Sequence, residues 1–221
     1  MEGLTLVIGN RNYSSWSMRV WVLMRQLGIG FEEVQVPLGQ ADSLERKLSY
    51  SPAGKVPVLI DGDTRVWDSL AIAEHLAERF PDKPIWPDED AARALARSVS
   101  AEMHSGFPNL RSRMPLNCRA RRSGAGPVPE VREDVDRIRE IWRECRARHG
   151  DAGPFLFGGF TAADAMFAPV VSRFQTYGVE LDGVEEAYAQ TILELPAVGE
   201  WIEGARKEPW DIPLFDQALR G

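Results

Sequence analysis

The stretch that decides the fold is Asn12–Arg19, with the sequence NYSSWSMR, which joins a predicted first strand to a predicted first helix. Upstream, Leu4–Gly9 is an apolar run that ends at a glycine, as is typical of a short buried strand. Downstream, apolar residues recur at helical spacing until Gly28 ends the helix: Val20, Leu23, Met24 and Leu27. The serines therefore lie at a helix N-terminus, where unpaired N–H groups and the helix dipole favour a bound anion.

Four residues of this stretch stand where a thioredoxin-like domain carries its reactive Cys-x-x-Cys pair, and here they read Ser14-Ser15-Trp16-Ser17. A hydroxyl cannot cycle between thiol and disulfide, so sulfur chemistry at this turn would need a thiol supplied by a ligand. A serine can donate a hydrogen bond to such a thiolate and stabilise it. The alternative is that Ser14 or Ser15 only caps the helix, as serine often does. This stretch alone leaves both interpretations open.

The composition excludes several classes of protein. A chain of 221 residues with 44% hydrophobic and 27% charged residues is ordinary for a globular protein of one large or two modest domains. The net charge of −7 argues against nucleic acid as the main partner, because phosphate binding depends on clustered Lys and Arg. No apolar run is long enough to span a bilayer, and no signal peptide precedes the first strand, so we expect a cytoplasmic protein without a membrane partner. Cys118 and Cys145 fit no metal or redox spacing.

The first 80 residues predict a mixed sheet. Alternating apolar residues predict a second strand at Val34, Val36 and Leu38, and a polar, irregular helix follows it. A third strand is predicted at 56–60 and a short fourth strand at 65–67, joined by the hairpin signal Asp61-Gly62. A further helix follows the fourth strand. This order predicts a compact α/β domain with helices against the faces of the sheet.

The rest of the chain predicts only helices. We expect one helix from about 91 to 113, a loop over 119–129, and a second helix to about His149. Thr161–Asp164 is a capping box that opens a nearly apolar helix through Phe174, which should lie at the centre of its domain. Shorter helices follow at 185–193 and 197–206. We predict an α/β thioredoxin-like domain at 1–80, a proline-rich linker at 81–88 and an all-α domain at 89–221.

Two further segments carry candidate site residues, and the first of them is expected to lie opposite the serine turn. Pro57 stands at the front of a strand, and we predict a cis Val56–Pro57 bond that leaves the backbone of Val56 free to pair with an extended peptide. An ordinary trans proline is the alternative. Asp68 and Ser69 open a helix as N-cap residues. They could also bind an amino-acid terminus, with Ser69 receiving its carboxylate and Asp68 balancing its ammonium group.

In this order and spacing, these segments resemble the cytosolic glutathione transferases. Residues 14–20 are similar to the zeta-class turn Ser-Ser-Cys-Ser-x-Arg-Val, with Trp16 in place of the cysteine. Residues 51–59 resemble the segment that carries the family's cis-proline, and 68–72 resemble its Glu-Ser-x-Ala-Ile element. Residues 159–164 resemble the helix-capping motif of its all-helical domain. The resemblance covers nearly the whole chain, and four such motifs in one order are hard to produce by chance.

The resemblance implies a homodimeric detoxification enzyme that binds glutathione as co-substrate and needs no metal. It implies that the glutathione thiol lies beside Ser14, with Ser15 as the second candidate. The thiol would lose its proton, and the thiolate would attack a small electrophile. The implied glutathione-binding residues are Trp16, Lys55, Val56, Pro57, Asp68 and Ser69, with Lys55 near the glycyl carboxylate. The candidates for the pocket that binds the electrophile are Tyr13, His104, Phe107, Arg111 and Met114.

Several alternatives remain open at this point. His104 and Arg111 could instead face solvent or a second subunit. Tyr13 ranks behind the serines, as a packing or wall residue, because it lies in the turn and not at the strand end where other classes of the family carry a tyrosine. The arginines of the loop could be solvated or could guide anionic substrates: Arg119, Arg121 and Arg122.

Trp16 stands where zeta-class isomerases carry the cysteine that they use, so the resemblance does not imply isomerase activity. A glutathione-dependent isomerase or dehalogenase and a non-catalytic binding protein of the same fold are the rival functions. Intact Ser14, Pro57 and Ser69 favour a working glutathione site over a purely structural role.

Overall fold

A four-stranded sheet forms the N-terminal half of the protein, in a computed structural model that describes residues 3–122 and 129–217. Its strands are β1 (Leu4–Ile8), β2 (Phe31–Gln35), β3 (Val58–Asp61) and β4 (Thr64–Trp67), in the spatial order β2-β1-β3-β4. β2 runs parallel to β1, while β3 is antiparallel to both β1 and β4. Three helices accompany the sheet: α1 (Ser15–Gln26), α2 (Ser43–Tyr50) and α3 (Ser69–Arg79). α1 supplies the crossover that a parallel strand pair requires, and the predicted element order is confirmed.

Prolines shorten two of the predicted strands. β2 ends at Gln35 and does not extend to Leu38 as predicted. Val36 still donates its N–H to the carbonyl of Ile8 at 2.8 Å, but Pro37 has no N–H with which to continue the ladder. β3 begins at Val58 and not at Val56, directly after a proline. The peptide bond between Val56 and Pro57 is cis, as predicted.

In the second half of the chain the described helices are α4 (Asp90–Ser105), α5 (Pro108–Arg113), α6 (Arg132–His149), α7 (Ala162–Tyr177), α8 (Gly183–Leu193), α9 (Pro196–Lys207) and α10 (Pro213–Gln217). Short 3₁₀ turns cover 129–131 and 150–152, and isolated bridges at 155–159 are the only β pairing in the described part of this half. The prediction of an all-α second half is therefore confirmed. The sequence did not predict α10. Of the predicted loop over 119–129, residues 123–128 lie outside the described residues.

The helix predicted over 91–113 is broken in two, which corrects that prediction. Gly106 ends α4, and a Cβ there would lie 2.8 Å from the carbonyl oxygen of Glu102. Phe107 has a left-handed φ of +60°, and Pro108 then starts α5 without a free N–H. After the break, the side chain of Arg111 in α5 returns to the end of α4, where its Nε donates to the carbonyl of Gly106 at 2.9 Å.

α7 lies at the centre of the helical half, as its apolar sequence predicted. Among its residues, all but Gln175 are buried. The predicted capping box is present: Asp164 Oδ2 accepts from the backbone N–H of Thr161 at 2.9 Å, and Asp164 Oδ1 accepts from Leu156 N at 3.0 Å. Burial raises the pKa of Asp164 to about 6 despite these hydrogen bonds.

One continuous core joins the two halves of the protein. α1 packs against α7 and α9, and the rings of Trp21 and Trp201 lie 5.4 Å apart between α1 and α9. This packing fixes the N-terminus of α1, and with it the serine turn, against the helical half. The bounds 1–80, 81–88 and 89–221 stay a prediction. Over the described residues, no helix combines the length and the apolar character needed to cross a membrane.

Candidate functional site

A cleft of about 680 Å³ opens between the serine turn, the loop before β3 and the helical half. The predicted site residues that line it are Tyr13, Ser14, Ser15, Trp16, Lys55, Val56, Pro57, Asp68, Ser69, His104 and Arg111. Phe107 and Met114 do not line it, because both side chains are buried in the core. Residues that the sequence analysis did not name as part of the site also line the cleft, among them Lys47, Trp67, Arg173 and Phe215.

Ser14 is the N-cap of α1. Its Oγ accepts from the N–H of Ser17 at 3.3 Å and donates to Ser17 Oγ at 2.8 Å. Ser17 Oγ in turn accepts from the N–H of Gly9 at 3.0 Å, which ties the helix to the end of β1. The hydroxyl of Ser14 is therefore used inside the turn, and its capping role is observed directly.

Ser15 is the first residue of α1, and its hydroxyl has a different environment. Its Oγ accepts from Arg173 Nη2 at 3.2 Å, and the described residues offer no acceptor for its own proton. Ser15 can therefore donate a hydrogen bond into the cleft. Arg173 reaches it from α7, fully inside the protein, where Nε donates to the carbonyl of Met114 at 2.8 Å. Burial and the charge of Arg111 lower the pKa of Arg173 to about 10.

Trp16 lies among cations. The guanidinium carbons of Arg19 and Arg111 are 4.3 Å and 5.0 Å from its ring centroid, and the ring of His104 meets it edge-on at 5.0 Å. Arg19 is buried, and its Nε and Nη1 have no hydrogen-bond partner within the described parts of the chain. Burial lowers the pKa of Arg19, the charges of Arg111 and Arg173 lower it further, and Asp68 opposes them. This side of the cleft is electropositive.

Asp68 and Ser69 occupy the N-terminus of α3. Asp68 adopts a left-handed φ of +81°, and its Oδ1 caps the helix by accepting from Leu70 N at 2.9 Å, as predicted. Its Oδ2 lies 3.2 Å from His104 Nε2, although burial lowers the pKa of that histidine. Ser69 is 1% exposed, and its Oγ finds no partner among the described residues. A buried hydroxyl without a partner is a donor that a ligand group could satisfy.

Two family profiles match the chain. The N-terminal domain of the glutathione S-transferases matches residues 10–84, and their C-terminal domain matches residues 128–204. The chain belongs to the glutathione S-transferase family.

Individual relatives of this family match the chain over different shares of its length. A Stringent starvation protein A homolog from Pasteurella multocida is 26% identical over 80% of each chain. A zeta-class glutathione S-transferase from Euphorbia esula is 31% identical, but over only 47% of each chain. The crystal structure of a glutathione transferase homologue from Burkholderia GL BGR1, with bound glutathione, matches with a TM-score of 0.70 at 22% identity, over 94% of this chain and all of that one.

The two cysteines of this member of the family stand outside the cleft. Both are free and buried, and burial raises the pKa of Cys118 to about 11 and that of Cys145 to about 12. Neither is a nucleophile at neutral pH. In the residues that the structure describes, no group of three or more His, Cys, Asp and Glu side chains could hold a metal ion.

The sequence analysis missed Arg173 and Phe215. Arg173 had a signal, because Asp164 and Arg173 are the only charged residues in the otherwise apolar α7. A charged residue on a helix of this kind must be buried, and buried charges are rare unless they are paired. Phe215 had no such signal, since it is one of several apolar residues in a short segment near the C-terminus.

Proposed function

We propose that this protein is a glutathione transferase that binds glutathione in the cleft and activates its thiol for attack on a small electrophile. One observation supports the proposal above the rest. A single cleft brings together Ser15, Lys55 and Ser69, which come from three separate segments of the chain. Their groups suit the thiol, the glycyl carboxylate and the γ-glutamyl end of the tripeptide. The glutathione bound to the Burkholderia homologue, which has the same fold, supports glutathione as the ligand.

In this proposal the ends of glutathione are bound by charge and by the helix N-terminus. The γ-glutamyl carboxylate accepts from Ser69 Oγ, which otherwise lacks a partner, while Asp68 faces the ammonium group. Lys55 is exposed at the opposite end, where it can reach the glycyl carboxylate. The backbone of Val56 pairs with the cysteinyl residue, and this pairing sets the direction of the thiol.

We assign the hydrogen bond to the thiolate to Ser15 and not to Ser14, the first choice from the resemblance. The proton of Ser14 is held by Ser17, whereas the proton of Ser15 is free to point into the cleft. Free thiols titrate at about 8.5, and positive charge or a helix N-terminus lowers that value. Here the N-terminus of α1, Arg173 and Arg111 all act in this direction. The thiol loses its proton to solvent, and the thiolate sulfur then bonds to the electrophile and displaces its leaving group or opens its ring.

A non-catalytic binding protein is the second candidate. It is kept because a relative whose name is not that of a transferase, the Stringent starvation protein A homolog, aligns over 80% of both chains, whereas the zeta-class alignment covers about half. A glutathione-dependent isomerase or dehalogenase of the same fold is a third candidate, which differs in the reaction that the electrophile undergoes. A homodimer, a cytoplasmic location and a role in detoxification are parts of the transferase proposal that follow from the family resemblance alone.

Calorimetric titration with glutathione, followed by a panel of aryl halides, epoxides and maleyl acids, tests the proposal. We expect one glutathione per chain and turnover of at least one electrophile, with glutathione consumed in step with product. Binding without turnover on any panel member would favour the binding protein, and absence of binding would overturn both. Ser69→Ala should weaken binding of glutathione, because it removes the one hydroxyl at the γ-glutamyl end.

A further inference from the structure

The last described segment, Glu208–Gln217, crosses the serine turn and closes one side of the cleft. We call this segment the C-terminal strap. Its Phe215 lines the cleft, and the rings of Phe215 and Tyr13 lie 5.7 Å apart. The strap carries α10 and is the part of the cleft wall that lies farthest along the chain from the serines.

The hydroxyl of Tyr13 is the centre of a polar latch on this strap. It accepts from the backbone N–H of Ile212 at 3.2 Å and from Arg119 Nη2 at 3.1 Å, and it donates to Asp216 Oδ1 at 3.1 Å. Asn117 Nδ2 also donates to Asp216 Oδ1, at 2.8 Å. Both lone pairs and the proton of the phenol are thus in use, and the oxygen has no capacity left for a thiol in the cleft.

Arg119 and Glu208 tie the start of the strap to the same turn. Arg119 Nη1 donates to the carbonyl of Glu208 at 3.0 Å, and its Nη2 lies 2.6 Å from Asp211 Oδ1. The carboxylate of Glu208 accepts from the N–H groups of Arg11 at 2.6 Å and Asn12 at 3.0 Å. The loop arginine that the sequence left as solvated or substrate-guiding is therefore part of the latch.

Little apolar burial holds the far end of the strap. Leu214 is 71% exposed, and Ile212 and Phe215 are only half-buried. A segment held mainly by partly exposed hydrogen bonds, with few buried apolar contacts, opens at a lower free energy than the core does. The strap is thus the part of the cleft wall best able to move while the serine turn stays fixed.

We propose that Tyr13 is a positioning residue that holds the C-terminal strap closed, so that Phe215 forms one wall of the site for the electrophile. When the bond between Tyr13 and Asp216 breaks, the strap opens and lets the electrophile enter or the product leave. The part of this inference that concerns the electrophile rests on the proposed function. The latch itself does not.

Hydrogen exchange on the full chain tests the latch without any assay of activity. Tyr13→Phe keeps the ring beside Phe215 and removes the hydroxyl. We expect the amides of Ile212 and of 214–216 to exchange about ten- to a hundredfold faster, as the loss of a hydrogen bond to a charged partner predicts, with no change in the amides of α1. Asp216→Asn should also make the same amides exchange faster. Leu214→Ala, an exposed position on the same strap, is the matched control and should change nothing. Unchanged exchange in Tyr13→Phe would overturn the proposal.

Ligand binding and kinetics test the positioning role. We expect Tyr13→Phe to leave the Kd for glutathione and the pKa of the bound thiol unchanged, and to raise the KM of the electrophile about three- to tenfold, as the loss of one hydrogen bond permits. Phe215→Ala should raise the same KM. A raised thiol pKa in Tyr13→Phe would show that the phenol serves the sulfur, and would overturn the proposal. If glutathione does not bind at all, the proposed function fails, while the exchange data still decide whether the latch exists.

Discussion

The serine turn and the C-terminal strap face each other across one cleft, but the chain builds them in different ways. The turn is continuous: Ser14 caps a helix whose next residues are Ser15, Trp16 and Ser17, and its hydrogen bonds join residues three to eight positions apart. The strap is held by bonds between Tyr13 and Asp216 or between Arg11 and Glu208, about 200 positions apart. The cap at Ser14 is thus set locally, whereas Ser15 also depends on Arg173 from α7, and the electrophile side depends on contacts between the two ends of the chain.

This difference separates two kinds of role. Ser15 of the turn acts on the sulfur, so its loss should change the thiol pKa and leave the electrophile wall in place. A residue of the strap acts on the wall, so its loss should change the KM of the electrophile and leave the thiol pKa in place. Glu208 links the two regions, because it begins the strap and accepts from the N–H of Asn12 in the turn, while Arg173 joins the turn to α7.

Ser15→Ala should have the largest effect. Loss of a preorganised donor to a developing or bound anion costs about a hundredfold in rate. We therefore expect kcat/KM for the electrophile to fall by about that factor, with the Kd for glutathione nearly unchanged at low pH, where the bound thiol stays protonated. Ser15→Thr, which keeps the hydroxyl, is the control and should recover part of the rate. Equal rates in wild type and Ser15→Ala would show that the turn does not act on sulfur through this residue.

Glu208→Ala should weaken the link between the strap and the turn. Glu208 is 8% exposed and accepts from two backbone N–H groups, which would be left without a partner inside the protein. We expect the free energy of unfolding to fall by about 2 kcal/mol, measured by urea denaturation. Glu208→Gln keeps one acceptor oxygen, so its free energy of unfolding should fall by less. A loss confined to the strap, with α1 as protected from hydrogen exchange as before, would show that the turn does not need this anchor.

Arg173→Lys tests whether the buried charge or its geometry supports Ser15. Lysine keeps the positive charge but cannot reproduce a planar guanidinium that bonds both Met114 and Ser15. We expect kcat/KM to fall about tenfold, and further in Arg173→Met, which also loses the charge. The bound thiol pKa should rise in the order wild type, Lys, Met. Thermal melts of all three proteins separate this effect from loss of folding, and a thiol pKa that does not follow the charge would contradict the assignment.

Ser14→Ala should have the smallest effect, on stability. Loss of a serine N-cap costs about 1 kcal/mol, and Ser17 loses its partner at the same time. The thiol pKa should shift less than in Ser15→Ala, because the proton of Ser14 does not reach the cleft. Ser14→Asp, another good N-cap, should restore the free energy of unfolding. A larger rise of the thiol pKa in Ser14→Ala than in Ser15→Ala would return the role to the first serine.

The same contrast explains what the sequence could and could not predict. The order of the strands, the Asp68 cap and the box at Thr161–Asp164 depend on residues a few positions apart, and local patterns show them. The break at Gly106 was also local, but the helical spacing on both sides masked it. The role of Arg119 was beyond local patterns, because its partners Tyr13 and Asp211 lie about 100 positions away in opposite directions.

The pKa of the glutathione thiol in the complex tests the central claim most directly, by ultraviolet titration of the bound thiolate. The account predicts a bound pKa clearly below the free value of about 8.5 in wild type, a rise toward that value in Ser15→Ala, and little change in Ser14→Ala or Tyr13→Phe. A wild-type complex that titrates like free glutathione would contradict it.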